Sequence, residues 1–231
     1  IAKGSGMIHP NMATMLSFVT TDADIAPDML QQALSHVVEG SFNMLSIDGD
    51  TSTNDTLTVM ASGLCGNPRI TAAGEDMDVF TQALQMLCVA LAKALAKDGE
   101  GATRLIECTV TRAADEGAAR GIAKSVICSS LVKAAVFGAD ANWGRVLCAI
   151  GYSGQPVDVT KVKVEFASPK GTVLVCEDGA GVDFSEELAK EILLEKEIQI
   201  LITLGDGEAS ATAWGCDLTY DYVKINGDYR T

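Results

Sequence analysis

The stretch KGSGMIHPNMATMLSFVTTDA, residues 3–23, runs from a glycine-bearing turn into a segment with strand character, Met15–Thr21. The two meet at Ala13-Thr14. A threonine that follows a small residue and opens a rigid strand holds its hydroxyl close to the preceding carbonyl. If the Ala13–Thr14 peptide breaks, Thr14 carries both a hydroxyl and a free α-amine. An α-amine titrates at about 7.7–8.0, so a useful fraction is unprotonated near neutrality and can serve as the nucleophile's own base. The dipeptide alone does not select Thr14, because Ala102-Thr103 and Ala211-Thr212 share it. Read as a bare pattern, it is an ordinary strand entry.

Downstream, Pro27 suits a first helical position, and Leu30, Ala33, Leu34, Val37 and Val38 form one apolar face, predicting a helix from Pro27 to about Leu45. The polar loop SIDGDTSTND precedes a strand over Leu57–Ser62. A long helix is expected over 76–97, ended by the turn DGEG (98–101). Arg104–Arg112 reads as a strand, and Asp115 as the cap of a helix reaching Phe137. A second glycine-bounded loop, GADANWGR (138–145), leads into a short apolar helix. Beyond 160 the texture shifts to the short strands KVKVEFA, TVLVCE and EIQILITL, with a helix at 186–196 and a last alternating stretch through YDYVKI. The fold class is α/β with mixed sheets and packed helices. Three parts are expected: 1–13, a nucleophile-bearing lobe 14–155, and a smaller lobe 156–231.

Composition limits the function classes. Of 231 residues, 48% are apolar and 5% aromatic, so the core rests on Ala, Val, Ile and Leu. A net charge of −14 argues against nucleic acid or an anionic membrane as partner. Lys93 and Lys97 interrupt the most apolar stretch, short of the ~20 residues a bilayer span needs. Seven scattered cysteines without a C-x-x-C pair predict neither a disulfide framework nor a zinc knuckle. With two histidines, His9 and His36, and no G-x-S-x-G, a histidine-based triad is short of bases. Asp48, Asp50 and Ser52 imitate a calcium loop, but Thr53 replaces its glycine and Val59 its closing glutamate. KGSGM and DGEGA are not dinucleotide fingerprints. No metal site and no cofactor are expected.

The words around Thr14 carry more than their chemistry. KGSGMIHPNMATML followed by TTDA resembles the autocleavage region of the ornithine acetyltransferase family of arginine biosynthesis. SFNMLSIDGDTSTNDT, DGEGATRLIE, GADANWGR with LCAIGYSG, and YDYVKINGDYRT resemble further family blocks, in order from end to end. The resemblance implies self-cleavage between Ala13 and Thr14 and a terminal-threonine-nucleophile fold. It implies ping-pong transfer of an acetyl group from N-acetylornithine to glutamate through an acetyl-threonine, with acetyl-CoA as a co-substrate in some members. It maps Lys3 to the substrate carboxylate, Glu100 to its amine, and Asn226 and Thr231 to further substrate contacts. The family's oxyanion-stabilising Thr-Gly pair has no counterpart in these residues. The chain is therefore expected to be the later part of a longer precursor, completed by an N-terminal subunit of which 1–13 is the end. The expected location is the cytoplasm, with an organelle left open.

Two rival readings remain. A self-cleaving amidohydrolase or aminopeptidase would use the same nucleophile with water as acceptor, which a product assay with and without glutamate separates. A non-catalytic small-molecule binding domain would make Ala13-Thr14 accidental, and would show no cleavage by intact mass.

Overall fold

The structure is a computed structural model and describes residues 1–9 and 15–228. Ala13, Thr14 and Thr231 lie outside the described residues. A three-stranded sheet comes first. Strand β1 (Ala2–Lys3) runs antiparallel to β2 (Leu16–Thr21), which lies parallel to β3 (Thr56–Ala61). Alternation sorts its faces: Met15, Ser17, Val19 and Leu57 are buried, while Leu16, Phe18 and Met60 are exposed.

Helix α1 (Pro27–Glu39) starts on the predicted proline but stops at Gly40, five residues before the expected end. The six residues Phe42–Ile47 are all buried. No helix can turn six consecutive side chains toward one core, so the chain passes into a 3-10 turn at Phe42–Met44. Helix α2 (Glu75–Lys97) buries Met77, Leu84, Cys88, Ala92, Leu95 and Ala96 along one face and packs on α1. Its most apolar 18-residue window has a mean hydropathy of 1.6, enough by length and composition alone to cross a membrane, a property that core helices share.

The larger sheet has six strands in the order β7-β6-β5-β8-β4-β9: β4 (Leu105–Ala113), β5 (Lys163–Ser168), β6 (Gly171–Glu177), β7 (Ala180–Gly181), β8 (Glu197–Thr203) and β9 (Ala209–Cys216). Among the described residues of this sheet, only β4 and β8 pair in parallel. Ile106, Cys108 and Val110 of β4 and Ile198, Ile200 and Ile202 of β8 form its buried centre. The sheet draws on both stretches expected as lobes, since β4 lies between β8 and β9. Helices α3 (Glu116–Cys128), α4 (Ser130–Phe137), α5 (Trp143–Gly151) and α6 (Glu186–Leu193) complete the layers, with α3 on β4 and β9, and α6 on β5 and β6. Asp115 caps α3 as expected, by accepting from the Ala118 amide at 2.8 Å. The single helix predicted to Phe137 is two, because the Ser129 hydroxyl caps a new start at the Val132 amide.

The C-terminal stretch overturns its prediction. Tyr220–Asp228 is a helix, α7, and the last strand is β9, upstream of it. Thr219 explains the difference. Its hydroxyl donates to the Gly101 carbonyl at 2.7 Å and accepts from the Tyr222 amide at 3.3 Å, a helix cap that the alternating pattern concealed.

Candidate functional site

The turn after α2 is built by glycines. Gly101 sits at φ +68°, and a Cβ there would come within 2.5 Å of the Tyr222 nitrogen, so α7 can dock on the turn only because the side chain is missing. Between Gly99 and Gly101 stands Glu100. Its amide donates to the Ser5 carbonyl at 3.0 Å, and the Ser5 hydroxyl donates to the Asp98 carbonyl at 2.9 Å. The KGSG and DGEG words are thus laced together. A Cβ on Gly6 would fall 2.5 Å from the Glu100 carboxylate, so this glycine makes room for the acid. From the other side, Asn226 of α7 donates its side-chain amide to Glu100 Oε2 at 2.9 Å and to the Tyr222 carbonyl at 3.0 Å.

Asp217, fully buried, fixes the far side of the turn. Its carboxylate accepts from the Thr103 amide at 2.8 Å, the Arg104 amide at 3.0 Å and the Thr103 hydroxyl, and lies 3.8 Å from the Arg104 guanidinium. Arg104 in turn donates to the carbonyls of Val136 and Phe137, closing α4. These bonds hold the Glu100 turn on the end of β4.

The loop 46–55 is the second wall. Asp48, set aside above as a false calcium ligand, accepts from the amides of Met7 at 2.7 Å and Ile8 at 3.0 Å. The Ile47 amide donates to the Ile8 carbonyl at 2.7 Å, and the Thr51 hydroxyl to the His9 carbonyl at 3.2 Å. At its other end, the Thr56 amide donates to the Met15 carbonyl at 2.7 Å. One loop therefore grips the chain on both sides of residues 10–14. Its base is anchored by the buried Lys133, whose ammonium donates to the carbonyls of Ile47, at 2.7 Å, and of Cys216.

The field over this region is negative. The Tyr222 hydroxyl is pushed up to about 12, first by burial and then by the carboxylates of Asp48, Asp50 and Glu100, with Asp48 3.5 Å away. Such a field suits an ammonium ligand. Lys3 is exposed on β1, where its backbone pairs with Leu16, the second residue after Thr14. It lines a shallow cleft with Ser5, Leu95 and Asp98. Of the residues mapped from the resemblance, Glu100 and Asn226 are in contact and Lys3 lies on the strand leading to them.

His9 makes a separate cluster, with Nδ1 3.0 Å from Ser46 Oγ and 3.5 Å from Cys128 Sγ. Burial, then Lys124, lowers the imidazole, while burial raises the thiol. Both shifts favour the neutral forms, so the pair does not make the thiolate that cysteine catalysis needs. A larger hollow lies between Lys93, Glu107, Pro169 and Gln199. There the Glu107 carboxylate is already occupied by Lys93 at 2.7 Å, Trp214 at 2.8 Å and Gln199 at 3.2 Å. Burial works to raise that carboxyl, and these donors outweigh it and lower it. This is a satisfied structural seam. Sequence reading missed Tyr222 and Asp217. Only the acid after Cys216 and the tyrosine on the capped turn TYDY signal them.

The model of the ArgJ family matches residues 1–231. The chain is 54% identical over 231 residues to arginine biosynthesis bifunctional protein ArgJ 1 of Clostridium acetobutylicum, covering all of this chain and 57% of that protein. It is 56% identical over 230 residues to arginine biosynthesis bifunctional protein ArgJ of Caldanaerobacter subterraneus subsp. tengcongensis, again covering 57% of it. The chain thus spans a little over half the length of these relatives. The crystal structure of arginine biosynthesis bifunctional protein argJ from Bacillus halodurans superposes with a TM-score of 0.88 at 47% identity, covering 94% of this chain and 100% of that one.

Proposed function

The chain belongs to the ArgJ family, and on that premise we propose that it is the nucleophile-bearing part of an acetyltransferase moving an acetyl group from N-acetylornithine to glutamate. Thr14 is the nucleophile, freed by cleavage of the Ala13–Thr14 bond. Its oxygen bonds the acetyl carbon as the amide C–N bond breaks. The hydroxyl proton passes through the α-amine to the leaving amine, and glutamate's amine then takes the acetyl group from the threonine ester. Glu100 meets the substrate's ammonium, Asn226 orients that carboxylate, and Lys3 faces the substrate carboxylate, with Thr231 a further contact.

The observation that carries this reading is the Glu100–Asn226 pair set against Gly6, on the same short segment that leads to Ala13-Thr14. The upstream part of the precursor supplies the oxyanion donors and covers the exposed Leu16, Phe18 and Met60 of the small sheet. The relatives' name "bifunctional" supports a second donor, acetyl-CoA, and their bacterial origin supports a cytoplasmic location.

Intact mass of the full precursor tests the first step. Wild type should appear as two chains, the second beginning at Thr14, and Thr14→Ala as one uncut, inactive chain. Thr14→Ser should still cut. Efficient cutting of the alanine variant would sink the nucleophile assignment. Acetyl release to water with no transfer to glutamate would move the enzyme to the amidohydrolases.

A further inference from the structure

The Asp48 side chain ties three separate stretches of chain together. Its Oδ1 accepts from the Ile8 amide at 3.0 Å and the Asp50 amide at 3.3 Å. Its Oδ2 accepts from the Met7 amide at 2.7 Å and the Tyr222 hydroxyl at 3.5 Å. Two of these donors belong to a strained turn. Met7 sits at φ +54°, in the left-handed region where any side chain crowds its own backbone. Packing of that side chain does not hold it there, because Met7 is exposed. Such a conformation persists only where its surroundings over-determine it. Here they are the carboxylate on the Met7 and Ile8 amides, the buried Ile8 side chain, and the Ile47 amide on the Ile8 carbonyl at 2.7 Å.

Both directions from Asp48 lead to Glu100. One residue before Met7 stands Gly6, whose backbone approaches the Glu100 carboxylate so closely that an added Cβ would fall 2.5 Å from it. On the other side, the Tyr222 carbonyl accepts from the Asn226 side-chain amide at 3.0 Å, and the same amide donates to Glu100 Oε2 at 2.9 Å. The Met7 turn sets where Gly6 meets the acid, and the seat of Tyr222 sets where Asn226 meets it. Relaxing Met7 to an ordinary φ would turn the Gly6–Ile8 backbone and loosen the first of these contacts. Losing the Tyr222 bond would loosen the second.

We infer that Asp48 is the positioning residue of the ammonium subsite, seating Gly6 on one side of the Glu100 carboxylate through Met7 and Asn226 on the other through Tyr222. This rests on the reading of Glu100 given above. Protein donors occupy both Asp48 oxygens, so it acts through the placement of Glu100 and not as a second ligand to the ammonium. Asp48 thereby governs how well the enzyme tells a donor that carries a terminal ammonium from one that does not.

The cleaved, full-length enzyme provides the test, with N-acetylornithine and N-acetylnorvaline as donors, since the second lacks only the δ-ammonium. Wild type should prefer acetylornithine in kcat/KM by about tenfold or more, as a charged hydrogen bond gives. Asp48→Asn keeps the size of the side chain but leaves one acceptor where two served, and that preference should fall by about fivefold or more. A general loosening of the structure would lower both rates and leave their ratio standing. Glycine adopts φ +54° without strain, so Met7→Gly added to Asp48→Asn should recover part of the preference. An unmoved ratio in Asp48→Asn overturns the inference, and so does a lost preference that Met7→Gly does not recover. Should Asp48→Asn fail to fold or to cut, wild type alone decides. Hydrogen exchange at the Met7 and Ile8 amides, followed by mass, should be slowed by about a hundredfold or more against an unstructured peptide, and free exchange there overturns the role of Asp48. If wild type moves no acetyl group from acetylornithine, the proposed function fails, and this inference with it. Transfer with no preference between the donors removes the reading of Glu100. A preference that Asp48→Asn leaves intact defeats Asp48 alone.

Discussion

Removing the Asp217 carboxylate should separate its role as a hydrogen-bond acceptor from its role as a charge. One oxygen serves both the Thr103 and Arg104 amides, while the other takes the Thr103 hydroxyl and faces Arg104. Asp217→Asn keeps an acceptor for the two amides, and the threonine hydroxyl can turn to accept from the new NH2. What is lost is the charge beside Arg104, a cost of about 1–2 kcal/mol. Asp217→Ala strands all three donors in a site with no exposure and leaves Arg104 uncompensated, which costs about 3–5 kcal/mol. Urea unfolding of the complete, cleaved enzyme at neutral pH should therefore show two well-separated losses. Activity should follow a different order. Thr103 and Arg104 hold the Glu100 turn, so even the asparagine variant should raise KM for acetylornithine. Equal losses for the two variants, or less than 1 kcal/mol for alanine, would refute the ledger and make Asp217 a passive filler.

Glu100→Gln should leave self-cleavage intact and lower kcat/KM for acetylornithine by about 1.5–3 kcal/mol, read from initial rates, if a charged hydrogen bond is lost. Gly6→Ala should do likewise without lowering the urea midpoint by more than a little, because its methyl meets the movable end of Glu100 and not backbone. In a Thr14→Ala precursor, which stays uncut, Asp55 keeps a carboxyl raised above its ordinary 3.8 to about 6. Its contribution to stability is then fully present below about pH 3.8 and lost as pH rises through about 6. Asp55→Asn in that background should stabilise at pH 8 and make no difference at pH 3.5, in denaturant titrations at both. Residues 1–231 produced alone should associate through the exposed face of the small sheet and lack acetyl transfer. Co-production of the upstream segment should restore both monodispersity and turnover, by size-exclusion chromatography and product assay.

Elements with a strong period or a clear cap were legible in the sequence. Pro27, Asp115 and the β-branched run of β4 put their elements where they stand. Errors arose where tertiary burial or a side-chain bond overrode the local pattern. The run FNMLSI is buried residue by residue, which no periodicity could announce. Ser129 divides a continuous helical pattern with a single hydroxyl. Thr219 starts a helix inside a stretch that alternates like a strand. At the candidate site, the family words alone drew Glu100 and Asn226, which the structure places in contact, into one reading, because an acid between glycines and an amide near a chain end are ordinary turn and tail residues. Their meeting depends on Gly101 admitting α7. Asp217 and Tyr222 depend on contacts across more than a hundred residues, so no local window contains their reason.

The anchorage of the 46–55 loop sets an order of events in time. The Ser46 amide donates to the Trp214 carbonyl at 2.9 Å, and Lys133 joins Ile47 to Cys216, 169 residues later in the chain. At ordinary synthesis rates, roughly ten to thirty seconds separate the appearance of these partners. Throughout that interval the grip on residues 7–9 and Met15 has no floor beneath it. If the chain cuts itself at Ala13–Thr14 as proposed, a nascent or prematurely ended chain would keep that peptide whole, and scission would report that β9 has arrived.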